Sequence, residues 1–215
     1  MNKVPATPTK DRILDSAERL FAENGFAATS LRAIIAEAAV NLAAIHYHYR
    51  SKDALLEAVI VRRIGPVNDE RLARLDACER AAGEGGPTLE AVLEAFIAPT
   101  VPVRRSAPHF PKLMGRILAN ESGHLPVLMK KVFPEFLSRF AKALHRSQPD
   151  LPVVEIFWRI HFMAGVLSHT LRGGQDLEFL SGGLSHVRDE AGTTRRLVSF
   201  IAAGFRARLT EASNA

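Results

Sequence analysis

Apolar residues recur along this chain at helical spacing and nowhere in sustained alternation. Ile13, Leu14, Ala17, Leu20 and Phe21 fall at i, i+1, i+4, i+7 and i+8, one stripe of a helix that starts near Thr9. Asn24-Gly25 ends it, because Gly25 suits a left-handed C-terminal position. Thr29-Ser30 can cap a helix over Leu31 to Ala38, with Leu31 and Ile34 or Ile35 inward. Asn41 can cap another over Leu42 to Tyr49, with Ile45 and Tyr49 inward. Ser51 opens a long helix from Lys52 to about Arg80 that buries Leu55, Leu56, Val59 and Ile60. Gly65-Pro66 predicts a kink or break in it, since Pro66 removes an intrahelical hydrogen bond.

After the loop Gly83 to Pro87, Thr88 caps a helix with Leu89, Val92, Leu93 and Phe96, ending near Thr100. Phe110 to Asn120 reads as a helix, with Leu113, Met114, Ile117 and Leu118 apolar. Val127 to Arg146 reads as one more, in which Pro134 marks either an irregular first turn or the start of the helix proper. In Pro152 to Leu171 the stripe Ile156, Ile160, Met163, Leu167 and Leu171 is broadened by Phe157, Trp158, His161 and Phe162. A helix apolar on most sides is expected to be buried on most sides. Gly173 to Ser185 reads as a flexible connection, and Asp189 to Leu209 as the last helix. No strand pattern or internal repeat occurs, so the fold class is all-α.

Composition changes this picture little. The 215 residues are 47% hydrophobic and 24% charged, which is ordinary for a soluble globular protein of one or two domains. No apolar run reaches the roughly 18 residues of a membrane span. Met1 to Pro8 lacks the apolar core of a signal peptide and reads as a disordered tail. The single cysteine, Cys78, rules out an intrachain disulfide and fits a reducing cytoplasm. The net charge of +5 suits a polyanionic partner without identifying one. No nucleotide-binding glycine motif and no zinc spacing is present, so no cofactor, no metal and no catalytic set is expected. His46 and His48, two apart on a helix, point in different directions. His161 and His169 are two turns apart, too far to share one ion.

The chemistry concentrates between Thr29 and Lys52. A helix, a tight turn at Ala39-Val40 and a short second helix make a helix-turn-helix, whose second helix enters the major groove of DNA. Ala43 and Ala44 are small enough to let that helix approach base edges. Tyr47 and His48 supply donors at its end. Lys52 sits in the first turn of the next helix, where a cation is unfavourable and a DNA phosphate would offset the cost.

These residues carry a resemblance. Ile13-Leu14-Asp15-Ser16-Ala17 with Leu20-Phe21, Asn24-Gly25-Phe26, Thr29-Ser30-Leu31-Arg32, Val40-Asn41, Tyr47-His48-Tyr49 and Ser51-Lys52-Asp53-Ala54-Leu55-Leu56 resemble the TetR family of bacterial transcriptional regulators. Two positions depart from its pattern. Ala39 stands where the family usually has glycine, and His46 where it often has an aromatic residue.

The resemblance implies a three-helix DNA-binding domain over residues 9–52 and a helical effector-binding and dimerisation domain over 53–215. Arg32, Leu42, Ala43, Ala44 and His46 are the base-reading candidates. Thr29, Ser30, Tyr47, His48 and Lys52 are the phosphate candidates. The expected function is repression from a palindromic operator, an inverted repeat in double-stranded DNA, relieved by a small, mainly hydrophobic effector. The wording around Val40 to Tyr49 also resembles a branch that includes fatty-acid-responsive regulators. The effector is expected among Met114, Ile117, Phe136, Phe140, Phe157, His161 and Phe162. A homodimer is expected through Ile160, Gly165 and Leu167 on one helix and Leu197, Ile201, Gly204 and Phe205 on another. No membrane partner is expected. Two other readings stay open: a helical enzyme or small-molecule carrier that retains a DNA-binding-like domain, and an architectural DNA protein without sequence preference.

Overall fold

The computed structural model describes residues 8–119, 123–172, 175–184 and 189–208, except for the side chains of Ala44, His46, Met129, Gln175 and Asp176. The tail expected over the first eight residues falls outside this range as far as position 7. The described residues form helices and no strand. In chain order these are α1 Thr9–Asn24, α2 Leu31–Ala38, α3 Leu42–His48, α4 Lys52–Ala82, α5 Leu89–Ile97, α6 Val103–Ser106, α7 Phe110–Leu118, α8 Leu125–Lys131, α9 Pro134–Ser147, α10 Val153–Arg172, α11 Gln175–Leu180 and α12 Glu190–Arg206. Short 3₁₀ turns follow α4 and α5.

Side-chain caps fix four of these starts. The hydroxyls of Ser30, Ser51 and Thr88 accept from the backbone N–H of Ala33, Ala54 and Ala91 at 3.1, 3.0 and 3.3 Å. Asp189 does the same for Gly192 at the start of α12. Two expectations need correction, and one open choice is decided. Of the two readings of Pro134, the helix proper starts there and α8 stands separate before it, because Pro134 lacks an N–H and its ring crowds the carbonyl four residues back. As the first residue of α9 it forfeits nothing. In contrast, Pro66 does not break α4. Ile64 and Val67 are buried on either side of it, and their packing outweighs one lost hydrogen bond. The connection read after α10 contains the short helix α11.

The chain packs as two compact units. The first runs as far as Asp69 and takes in Val103–Pro134 as well. The second comprises Glu70–Pro102 and the chain from Glu135. In the first, α1 packs on α2, α3 and α7. Its core is Ile13, Ala17, Phe21, Ile34, Ile45, Leu55 and Val59, all fully buried. Glu18 is buried too, and accepts from Arg63 Nε at 2.6 Å and Arg62 Nη2 at 3.3 Å, which pins α1 to α4. Arg116 of α7 donates to Ala22 O and Glu23 O at 3.1 and 3.3 Å, closing the C-terminal end of α1.

In the second unit, α12 packs on α5 and α10. Leu93, Ile97, Phe140, Ala143, Ile156, Leu197, Ile201 and Phe205 fill its core. Arg159 donates to Ala207 O at 2.8 Å and to Phe205 O, and so caps α12. Arg71 is buried among aromatic rings: its guanidinium lies 4.3 Å from the centre of Phe96 and 4.8 Å from that of Phe136. It donates to Phe96 O at 2.9 Å and Thr100 Oγ1 at 2.6 Å. Burial pulls its pKa down to about 9, so it still carries its charge at neutral pH.

Candidate nucleic-acid interface

The helix-turn-helix is built outward from Ile45. Ile45 is fully buried, and Tyr49 is buried one turn on; burial raises the Tyr49 phenol above its ordinary pKa. That inner face seats α3 on α1 and α2. The opposite face is left to solvent: Leu42 is 53% exposed, Tyr47 is 85% exposed, and Ala43 and His48 are exposed. The rings of Tyr47 and His48 meet edge to face at 5.0 Å. The side chains of Ala44 and His46, both base-reading candidates, lie outside the described residues. Arg32 is exposed in the first turn of α2. It brings a cation to a helix N-terminus that favours anions, a placement that suits a phosphate or base partner.

The phosphate candidates divide. Ser30 is exposed, and its oxygen accepts from Ala33 N while its hydroxyl proton remains able to donate. Tyr47 and His48 are exposed on α3. Thr29 and Lys52 are turned to the chain's own carbonyls. Thr29 is buried, and its hydroxyl lies 2.8 Å from Gly25 O and 3.1 Å from Leu20 O. It ties the loop before α2 to the end of α1. Lys52 is half-buried, and its ammonium donates to Phe26 O at 2.8 Å and Thr29 O at 2.9 Å and sits 4.2 Å from the centre of the Phe26 ring. It folds back on the loop instead of facing outward. Arg50, exposed just after α3, is a phosphate candidate that sequence reasoning missed. Its signal was a basic residue directly following the recognition helix.

The turn itself carries two further features. Ala39 holds φ 49° and ψ 50°, the one non-glycine residue with positive φ among those described. Arg12 of α1 donates to Ala38 O from Nε at 3.0 Å and from Nη2 at 2.6 Å, and Nη2 also reaches Ala39 O. Nothing in the local sequence marked Arg12, because its partners lie on another helix.

Beyond the first unit's DNA face, the remaining candidates are placed as follows. Met114 and Ile117 lie on α7 in the first unit, half-buried and buried respectively. Phe136 and Phe140 are buried in the second unit, the first tilted against Phe96 at 5.1 Å and the second edge to face with it at 5.2 Å between centres. Phe157 and Phe162 are 57% and 59% exposed, and His161 is exposed with them on the same face of α10. The burial expected on most sides of that helix is therefore absent within the protomer. The dimer candidates also divide. Leu167, Leu197, Ile201 and Phe205 are at most 6% exposed, because the protomer's own core takes them. Ile160 is half-buried. Gly165 and Gly204 remain on open faces, with space where a Cβ would stand. Among the described residues no three His, Cys, Asp or Glu gather as metal ligands, and no helix is long and apolar enough to cross a membrane.

A short helix, bedded on one side and bare on the other, following a tight turn from a capped partner helix, defines a helix-turn-helix DNA-binding protein. Residues 13–59 match the family described as bacterial regulatory proteins, tetR family, and residues 94–204 match the tetracyclin repressor-like C-terminal domain. The chain belongs to the tetR family. Among curated relatives, it is 40% identical over 57 residues to the HTH-type transcriptional regulator UidR of Escherichia coli K12. That match covers 26% of this chain and 29% of the relative, so the chain spans under a third of the length of that relative. In fold it is similar to the fatty acid degradation regulator FadR from Bacillus halodurans, with a TM-score of 0.66, 14% identity, and 97% and 100% of the two chains covered. A TetR-like regulator from Rhodococcus sp. RHA1 gives a TM-score of 0.57 at 19% identity, covering 94% and 100%.

Proposed function

We propose that this regulator is a cytoplasmic homodimeric repressor that binds an inverted-repeat operator and leaves it when a small hydrophobic ligand binds the second unit. One observation carries the reading. The face of α10 that carries Phe157, Trp158, His161 and Phe162 is bare within the protomer, and Phe200 of α12 is 68% exposed. Monomeric proteins rarely leave such a contiguous aromatic surface open. A second copy related by a two-fold axis would cover it with the same face, and Gly165 and Gly204 would let backbones approach closely. A two-fold dimer presents two recognition helices to two half-sites of opposite orientation.

For the ligand, the aromatic layer around Arg71 supports a molecule with an apolar body and an acidic end. Phe96, Phe136 and Phe140 supply the apolar surroundings. A carboxylate would bring an anion to a guanidinium whose charge is already costly in this setting. Acyl and aryl carboxylates are therefore the ligand class, a choice that agrees with the function in the name of FadR. Arg71 and Lys52 lie on the same helix, α4, which gives covalent continuity from this layer to the recognition unit. Release requires that the ligand prefer the conformation that binds DNA poorly.

The test is selection of bound duplexes from random DNA, followed by titration of acyl and aryl carboxylates against the selected complex. The expected result is an inverted repeat with half-site centres about 34 Å or a multiple apart, with dissociation by at least one acid. Arg71→Met should abolish that response and leave DNA binding intact. Selection of single half-sites, or release that survives Arg71→Met in full, would overturn the corresponding half of the reading.

A further inference from the structure

The turn between α2 and α3 decides where the recognition helix points, and its chemistry is unusual. Helix α2 ends in a Schellman arrangement: Val40 N donates to Ile35 O and Ala39 N to Ala36 O, both at 3.2 Å. That arrangement needs positive φ at residue 39. Glycine adopts it freely, whereas an alanine Cβ is strained there. The Schellman bonds satisfy the carbonyls of Ile35 and Ala36 but leave those of Ala38 and Ala39 outside the helical ladder. Both are accepted into the fork of Arg12, from α1. Helix α2 has no basic residue in its own last turn, so Arg12 is the cation that complements the C-terminal end of its dipole. Ala39 and Ala43 are both exposed, so the strained turn and the reading face lie together at the surface.

We infer that Arg12 is a positioning residue for DNA recognition: by gripping Ala38 O and Ala39 O it holds the alanine-containing turn left-handed and thereby sets the orientation of α3. The residue touches no base. Its role is to narrow the range of angles at which Leu42, Ala43 and Tyr47 meet the groove. Without the grip, Ala39 escapes its strain by leaving the left-handed region. The recognition helix then samples other orientations, which contact phosphates about as well but base edges less well. Loss of Arg12 should therefore fall on sequence preference more than on general DNA affinity. A glycine at 39 should make the grip dispensable, since it holds the same backbone without strain.

The experiment is a double-mutant cycle on the full chain, using a duplex selected by the wild-type protein and a scrambled duplex of equal length. Binding to each is measured for wild type, Arg12→Ala, Ala39→Gly and the double variant, with circular dichroism confirming the fold. Arg12→Ala should reduce the ratio of selected to scrambled affinity about tenfold. Ala39→Gly alone should leave the ratio within about twofold. In the Arg12→Ala background it should recover most of the loss, an outcome that simple loss of stability would not give. Arg12→Lys, which keeps the charge but not the fork, should recover less. If Arg12→Ala retains the full ratio, or if Ala39→Gly restores none of it, the inference fails. A fully restored ratio in Arg12→Lys would also overturn it, by showing that charge alone suffices. Should Arg12→Ala not fold, the Arg12→Lys and Ala39→Gly pair decides by the same ratio. Failure of the wild type to prefer any duplex would instead count against sequence-specific DNA binding itself.

Discussion

Lys52 offers the sharpest separation between a structural and a DNA-contacting role. Its ammonium makes two hydrogen bonds to main-chain carbonyls, at 2.8 and 2.9 Å, and lies over the Phe26 ring at 4.2 Å. Hydrogen bonds with one charged partner contribute roughly 1.5–3 kcal/mol each, and a cation over a ring about 0.5–2 kcal/mol. The site is half-buried, so water competes and the low end of each range applies; the contributions also overlap. Lys52→Met keeps the aliphatic stem and removes the donors, and should cost ~2–3 kcal/mol. For a chain of this size that lowers Tm by ~4–12 °C. The assay is urea and thermal unfolding of both proteins, followed by DNA affinity at several salt concentrations well below the lower midpoint. A lysine on a phosphate adds about one unit to the slope of log K against log salt. The Lys52→Met slope should equal that of wild type. A slope reduced by one, with unfolding unchanged, would refute the carbonyl role and return Lys52 to the phosphate.

Three further outcomes are expected. Phe162→Asp should sediment as a folded monomer that has lost most affinity for an inverted repeat, whereas Ile201→Asp, in the core, should fail to fold; a dimeric Phe162→Asp would place the interface elsewhere. Tyr47→Phe should weaken selected and scrambled duplexes alike by about 0.5–1.5 kcal/mol, the worth of one hydrogen bond, and a change confined to the selected duplex would make it a base contact. Asp53 is held below its ordinary value of 3.8, first by a hydrogen bond from His124 at 2.7 Å. Its folded pKa is depressed, so its contribution is present above about pH 4 and lost as pH falls further. Asp53→Asn should therefore flatten the acid end of a stability-against-pH curve below that point, and an unchanged curve would show that the pair contributes nothing.

The local layer of this fold was legible because its causes are local. The stripe Ile13 to Phe21, the cap at Ser30 and the inward pair Ile45 and Tyr49 each depend on spacing along one helix. The exposed face of α3 followed from the same periodicity. What could not be read was any use of a side chain by another helix. Lys52 in a first turn looks like an anion site until Phe26 O and Thr29 O are seen beneath it. Leu197, Ile201 and Phe205 form a stripe that fits a partner's surface or the protomer's own core, and periodicity does not say which. Helix α10 posed the same ambiguity, because it is apolar almost all round. The face taken by α12 left Phe157 and Phe162 outside. Pro134 was visible as a boundary, but spacing alone left open whether it sits in an irregular first turn or starts a helix of its own.

The chain meets several of its helix ends and loops with cations from other elements: Arg116 at α1, Arg12 at α2, and Lys52 at the loop before α2. A carbonyl is a dipole, not an anion, so it orders such a cation without cancelling its charge. Arg12 and Lys52 therefore keep their field while surrendering their contacts. Electrostatic attraction acts during approach, over about a Debye length, and needs no contact at all. On the proposed reading, the cations that hold the recognition unit together would also hasten its encounter with DNA. Their neutral replacements would slow association at low salt, while the lifetime of the bound complex would be set by others, Ser30, Tyr47, His48 and Arg50 among them.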